Sequence, residues 1–297
     1  MPRRFRGQAI FAVAVVLIVA GAYWLSRPRA THAGSDKPPA GAPAPASCWE
    51  VDETAAKQAF PWPGTAVDCA SPHTAEVYHV GQVDPQLVDK LAHAKGDDAV
   101  LQQNLMYAQA RRACTVLATS YLGGLWHTGR VQVIADWIKP TTSGHFGCAL
   151  AETADPAGTT FVRRTGSVRD ALKAGESAPL VAGCVARGGD GGLAYTGCDQ
   201  PHDGEFVGAY TITPPDAPFD EKAVRSAADR GCVQAALTYL GLAAAANRDD
   251  LRPGYVGPTT AGDWLGSDQT FSCYVLAATG KLRGSVKALG TKPLPRP

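Results

Sequence analysis

The sequence predicts an α+β protein made of two tandem disulfide-stabilised repeats, each a helix packed on a small antiparallel sheet, behind an N-terminal transmembrane helix. Three observations lead there. A cysteine-marked pattern occurs twice, each occurrence switches from two-residue to helical periodicity, and a single uncharged apolar run sits near the N-terminus.

The first occurrence reads Cys48, then Cys69, Pro72, His73, Glu76 and Val77, then Cys114 with Tyr121, Leu122 and Gly123, then Pro140 to Gly144, Cys148, and Gly166 to Arg169. The second reads Cys184, then Cys198, Pro201, His202, Glu205 and Phe206, then Cys232 with Tyr239, Leu240 and Gly241, then Pro258 to Gly262, Cys273, and Gly284 to Lys287. Four landmark pairs (Cys114/Cys232, Tyr121/Tyr239, Pro140/Pro258, Gly166/Gly284) share one offset of 118 residues, which chance matching does not produce. The pattern is that of a duplicated domain, with repeats over 48–173 and 184–290 and a short spacer between them.

Arg3, Arg4 and Arg6 precede the apolar run Ala9 to Leu25. At the helical rise that run spans about 26 Å, and Gln8 and Ser26 extend it toward a full bilayer core. Residues 8–26 are expected to be an uncleaved signal anchor, with 1–7 as a cytoplasmic tail; cleavage near Ala33 is the competing reading. Both place residues 48 onward outside the membrane, so the expected location is the cell membrane, single-pass, with the bulk of the chain extracytoplasmic. Residues 27–47 hold five prolines and almost no apolar bulk, which suits a stalk of at most about 70 Å. Beyond residue 47 there are 28 − 6 = 22 bases and 27 − 1 = 26 acids, a net charge of −4. With no basic stripe, nucleic acid is not an expected partner.

Within each repeat, alternation around Glu76 to Val80 and Glu205 to Ile212 predicts a strand after the Pro-His segment. A helix follows. In the second repeat Asp220 caps it, Val224, Ala228, Cys232, Ala236 and Leu240 share one face, and Gly241 ends it. In the first, Asp97 and Asp98 lead through Leu101, Leu105, Ala108, Cys114 and Leu122 to Gly123, so Cys114 and Cys232 should face the core. Short strands are expected over Val131 to Trp137 and Phe271 to Leu276, and the Gly-Ser-Val segments at 166 and 284 read as turns entering a last strand. The glycines from Gly188 to Gly192 predict a loose hairpin, because no lysine and helix follow as a phosphate loop requires. Trp49, Trp126, Trp137 and Trp264 are core candidates, whereas Trp62, flanked by Pro61 and Pro63, is expected to be exposed.

All eight cysteines lie inside the repeats, four in each, and no two stand two residues apart as in a zinc ribbon or a dithiol redox motif. In an oxidising compartment they read as structural disulfides. Three connectivities per repeat are open. The expected one is Cys48–Cys69 with Cys114–Cys148, and Cys184–Cys198 with Cys232–Cys273, which joins the first segment to the neighbouring segment before the strand and the helix to a strand it packs on.

The cysteine, Pro-His and glutamate at fixed spacing, the later cysteine with Tyr-Leu-Gly, and the segment from Pro258 through Trp264 and Gly266 to Cys273 resemble the septum formation family, a group of actinobacterial membrane-anchored extracytoplasmic domains. The resemblance covers nearly all of residues 48–290, twice over. The first repeat departs from it: the interval from Pro140 to Cys148 is eight residues against fifteen from Pro258 to Cys273, and it holds no tryptophan. The resemblance implies an association with cell division.

His73 with Glu76 and His202 with Glu205 are the candidate binding residues, since they recur at one spacing beside a cysteine. A metal site needs three or four ligands, and His79, His93, His127 and His145 have no counterparts in the second repeat. The plainer role is a turn behind the cysteine, braced by the imidazole and the carboxylate. There is no Gly-x-Ser-x-Gly nucleophile segment, and no cofactor is expected. The expected function is therefore non-enzymatic: a membrane-tethered extracytoplasmic interaction module of the cell envelope, bound to an envelope or division protein. The alternative is an envelope hydrolase using His and Glu with a metal.

Overall fold

The computed structural model describes residues 38–189, 191–214, 218–243 and 248–297. The expected tail, membrane span and first part of the stalk lie outside them; among the described residues no helix is long and apolar enough to cross a membrane. Residues 38–297 form one compact unit. Its first half contains β1 (Ser47–Trp49), β2 (Ala66–Val67), β3 (Ala75–Gln82), α1 (Pro85–His93), α2 (Asp97–Leu122), β4 (Val131–Trp137) and β5 (His145–Glu152). The second contains β6 (Cys184–Arg187), β7 (Leu193–Thr196), β8 (Gly204–Thr211), α3 (Glu221–Leu240), β9 (Leu251–Val256), α4 (Ala261–Gly266) and β10 (Thr270–Ala277). The fold is α+β with two antiparallel five-stranded sheets, ordered β2-β1-β3-β5-β4 and β7-β6-β8-β10-β9, so corresponding strands hold corresponding places.

The helices follow from their caps and their apolar rows. Asp220 accepts from the Ala223 amide at the start of α3, and Gly241 ends it at φ 70°, a left-handed conformation glycine adopts without a Cβ penalty. Gly123 ends α2 in the same way at φ 73°. Met106, Ala110, Cys114, Ala118 and Leu122 repeat every four residues and bury one face of α2 on Val133, Ala135, Phe146, Cys148 and Leu150. Leu101 and Leu105, expected on that face, are instead 51 % and 38 % exposed. The helix is six residues longer than α3 (26 against 20), and its early turns carry these leucines past the apolar cluster.

Strand β5 is buried at seven of its eight positions, because both faces of the first sheet are covered. The second cover is the segment after β1. Trp49, Val51, Phe60 and Trp62 pack on Val77, Ile134, Ile138, Ala149 and Ala151. The expectation of an exposed Trp62 is thereby corrected: it is 2 % exposed, with its ring centroid 4.2 Å from that of Phe60 and 6.0 Å from that of Trp49. The stalk also ends earlier than expected. Pro43 is buried and the Ala46 amide donates to the Val77 carbonyl at 2.7 Å, so residues 38–47 belong to the folded unit.

The hairpin expected at the glycines exists between β6 and β7, closed by Gly188 N–H on the Gly192 carbonyl at 2.9 Å. No strand follows the Gly-Ser-Val segments; they run as turns, because their amides go to a side chain described below. All four expected disulfides are present: Cys48–Cys69, Cys114–Cys148, Cys184–Cys198 and Cys232–Cys273. Closing loops of 34 and 41 residues contributes about 4 kcal/mol each in the chain-entropy picture, and loops of 21 and 14 about 3 kcal/mol each.

Candidate functional site

The three motifs that recur in the sequence meet at one carboxylate in each half. Glu76 leaves β3 toward the core. Its Oε1 accepts from the Tyr121 hydroxyl at the end of α2 and from the Ser167 hydroxyl at 2.5 Å, and its Oε2 accepts from the Val168 amide at 2.7 Å. Glu205 on β8 repeats the arrangement. Its Oε2 accepts from Tyr239 at 2.7 Å and Ser285 at 2.9 Å, and its Oε1 from the Val286 amide at 2.8 Å. Sheet, helix end and the C-terminal turn are thus pinned together by charge-assisted hydrogen bonds. Burial, reinforced by Glu76, pushes the Tyr121 phenol up, and it stays a donor; the donors come from segments distant in sequence.

The histidines hold the adjacent turn. His73 exchanges both backbone hydrogen bonds with Arg164, and His202 does so with Leu282. Nδ1 lies 2.8 Å from the Ser71 carbonyl in one half and 2.8 Å from the Gln200 carbonyl in the other, and since a carbonyl only accepts, Nδ1 is the donor in each pair. Both Nε2 atoms are buried without a hydrogen-bond partner, and that of His202 lies 3.5 Å from Glu205 Oε1. All four candidate binding residues are interior, none more than 2 % exposed.

Each motif gathers a possible metal ligand set. In Cys48, His73 and Glu76, and again in Cys184, His202 and Glu205, one ligand atom per residue lies within 4.8 Å of the others. Both cysteines are disulfide-bonded, which removes the thiolate a metal would take and leaves an imidazole and a carboxylate already serving three donors. Two ligands fall short of a zinc site.

An open concave surface lies elsewhere, between the halves. A cavity of about 470 Å³ is lined by Tyr107, Trp126 and Gln132 from the first half and by Tyr195, Asp263 and Asp268 from the second, among others. Its floor is an inter-half cluster. The Asp268 carboxylate meets His127 Nε2 at 2.7 Å and accepts from Trp126 Nε1 at 3.2 Å, while Ser272 Oγ donates to the His127 carbonyl at 3.3 Å. Burial raises the Asp268 carboxyl, but the hydrogen bonds from His127 and Trp126 outweigh it and hold the group below its ordinary value. Helix α4 packs beside it: a Cβ on Gly266 would come 3.0 Å from the Tyr107 ring, a spacing that keeps α4 close to α2. Of these residues the sequence marked Trp126 only as a core candidate and His127 only as a histidine without a counterpart, and gave Tyr107 and Asp268 no role. The signal was the interval from Pro258 to Cys273, seven residues longer than its counterpart, and it forms α4 and the Asp268 loop that dock the second half on the first.

Two disulfide-held helix-on-sheet halves, each with a buried histidine and glutamate at the same place, define an α+β module of two similar halves. The family model for septum formation matches residues 45–273, more than half of the chain, and the chain belongs to that family. No curated protein and no solved structure matches it.

Proposed function

We propose that the chain is a membrane-tethered, extracytoplasmic and non-enzymatic interaction module of the cell envelope that acts in septum formation, and that it holds a division or envelope protein in the cavity between its two halves. The carrying observation is that the recurring histidines and glutamates are interior and occupied with bracing their own half, while a concave surface open to a partner lies between the halves. Family membership supports the role in division, and the apolar run Ala9 to Leu25 supports the tether. The cavity chemistry suits a protein segment: Tyr107, Trp126 and Tyr195 offer aromatic area, and Gln132 and Asp263 offer polar groups that fix orientation.

The test joins topology to partner capture. A reporter active only outside the membrane, fused after Pro297, should be active. A fluorescent fusion of the full chain should gather at the septum and lose that position when Tyr107→Ala and Gln132→Ala are combined, with thermal unfolding little changed. A reporter active only in the cytoplasm, or septal recruitment unaffected by the cavity substitutions, refutes the proposal.

A further inference from the structure

In each half one disulfide is polarised. Cys48 is 0 % exposed and Cys184 1 %, whereas Cys69 is half-buried and Cys198 exposed. The Cys114–Cys148 and Cys232–Cys273 bonds have all four cysteines at 0 %. Beside each buried sulfur of the polarised bonds stands an imidazole, since a nitrogen of His73 and the Cys48 sulfur lie within 4.8 Å, and likewise His202 and Cys184. The backbone carbonyls of Ser71 and Gln200 occupy Nδ1, and the Nε2 atom of each ring is buried without a hydrogen-bond partner in the oxidised protein. An unsatisfied buried acceptor is costly. A thiol on the neighbouring cysteine could hydrogen-bond to this nitrogen, and it exists only after the disulfide opens.

We propose that Cys48–Cys69 and Cys184–Cys198 are thiol–disulfide exchange sites for a thiol co-substrate, attacked at the outer sulfur, with His73 and His202 as positioning residues that receive the inner thiol. A thiol RSH attacks Cys69 Sγ as its thiolate. A Cys69–S–S–R bond forms, the Cys48–Cys69 bond breaks, and the electron pair leaves on Cys48 Sγ, which takes up the proton RSH gave and donates a hydrogen bond to His73 Nε2. A second RSH then releases Cys69 as a thiol and forms RSSR, so two thiols are oxidised and one disulfide is reduced. The same sequence runs at Cys198 and Cys184. Access selects the attacked sulfur, and stabilisation of the leaving thiol favours the exchange. The inner disulfides hold the helix to the sheet throughout, so the halves stay folded.

Peptide mapping of the full-length chain after equilibration with graded mixtures of reduced and oxidised glutathione, acid quench and differential alkylation tests this. The Cys48–Cys69 and Cys184–Cys198 bonds should open at less reducing ratios than the other two, with glutathione trapped on Cys69 and Cys198. Glutathione trapped on Cys48 or Cys184, or all four bonds opening together, overturns the proposal. His73→Ala should lower the reduction equilibrium constant of Cys48–Cys69 by about fivefold, the factor one net hydrogen bond supplies, and leave Cys184–Cys198 in the same molecule unchanged. His73→Gln, whose amide offers an acceptor at similar reach, should restore it. An equal shift at both bonds, or none, removes the histidine from the mechanism. His202→Ala gives the mirror experiment if His73→Ala does not fold; if neither folds, the sulfur that traps glutathione in the unaltered chain decides.

Discussion

Replacing Glu76 with alanine removes the one acceptor shared by three segments of the first half. The Val168 amide, 2.7 Å from the carboxylate and buried with Val168 at 1 % exposure, loses its partner in a place water does not reach. Leaving such a donor unsatisfied costs about 1–3 kcal/mol. The Tyr121 and Ser167 hydroxyls lie nearer the surface and can turn to water, so their charge-assisted bonds contribute less than full value, about 1 kcal/mol together. The expected destabilisation is therefore about 3 kcal/mol, with Glu205→Ala doing the same to the second half through Val286. Equilibrium denaturation of the oxidised full-length chain, followed by circular dichroism, reads it. The Glu76→Ala and Tyr121→Phe changes should be less than additive, since they share one interaction. A loss below about 0.5 kcal/mol for both glutamate variants, the range of ordinary surface substitutions, would refute the view that these carboxylates lock their halves.

Two further outcomes follow from single groups. Burial pushes the Asp136 carboxyl up to about 7 from 3.8, against a smaller opposing pull from Arg111. A folded-state pKa above the unfolded one means that stability is fully present below about pH 4 and lost as pH rises toward 7, so Asp136→Asn should flatten the melting temperature between those limits and raise it at pH 7.5. Asp268→Ala should leave His127 and Trp126 without their shared partner and cost about 2 kcal/mol, concentrated in the docking of the halves. Limited proteolysis should then cut between residues 174 and 183 faster than in the unaltered chain; an unchanged rate would mean that the Asp268 cluster does not hold the halves together.

Much of the fold was legible because its signals are local or periodic. Asp220 and Gly241 bound α3 by their own chemistry, the four-residue rows around Cys114 and Cys232 fix which helix face is buried, and the repeated cysteines gave the disulfide pairing once helix and strand were placed. The recurrence of Pro-His, Tyr-Leu-Gly and Gly-Ser-Val marked residues that matter without saying for what. Only the folded chain brings Glu76, Tyr121 and Ser167 together across separations of 45 and 91 residues, and converts three motifs into one brace.

What the sequence determined by itself was the class: two similar halves, α+β, held by paired cysteines and set behind an apolar segment. These properties rest on periodicity, caps and residue type, which act over a few residues. The tertiary structure alone decided which surfaces remain open. Trp62 is buried because the segment that carries it packs on the far face of the first sheet, Leu101 and Leu105 are exposed because α2 outruns its apolar cluster, and the inter-half cavity exists because α4 and Asp268 dock on Trp126 and His127. Each depends on packing between segments far apart in the chain, and no local preference encodes a neighbour that arrives only when the whole core closes.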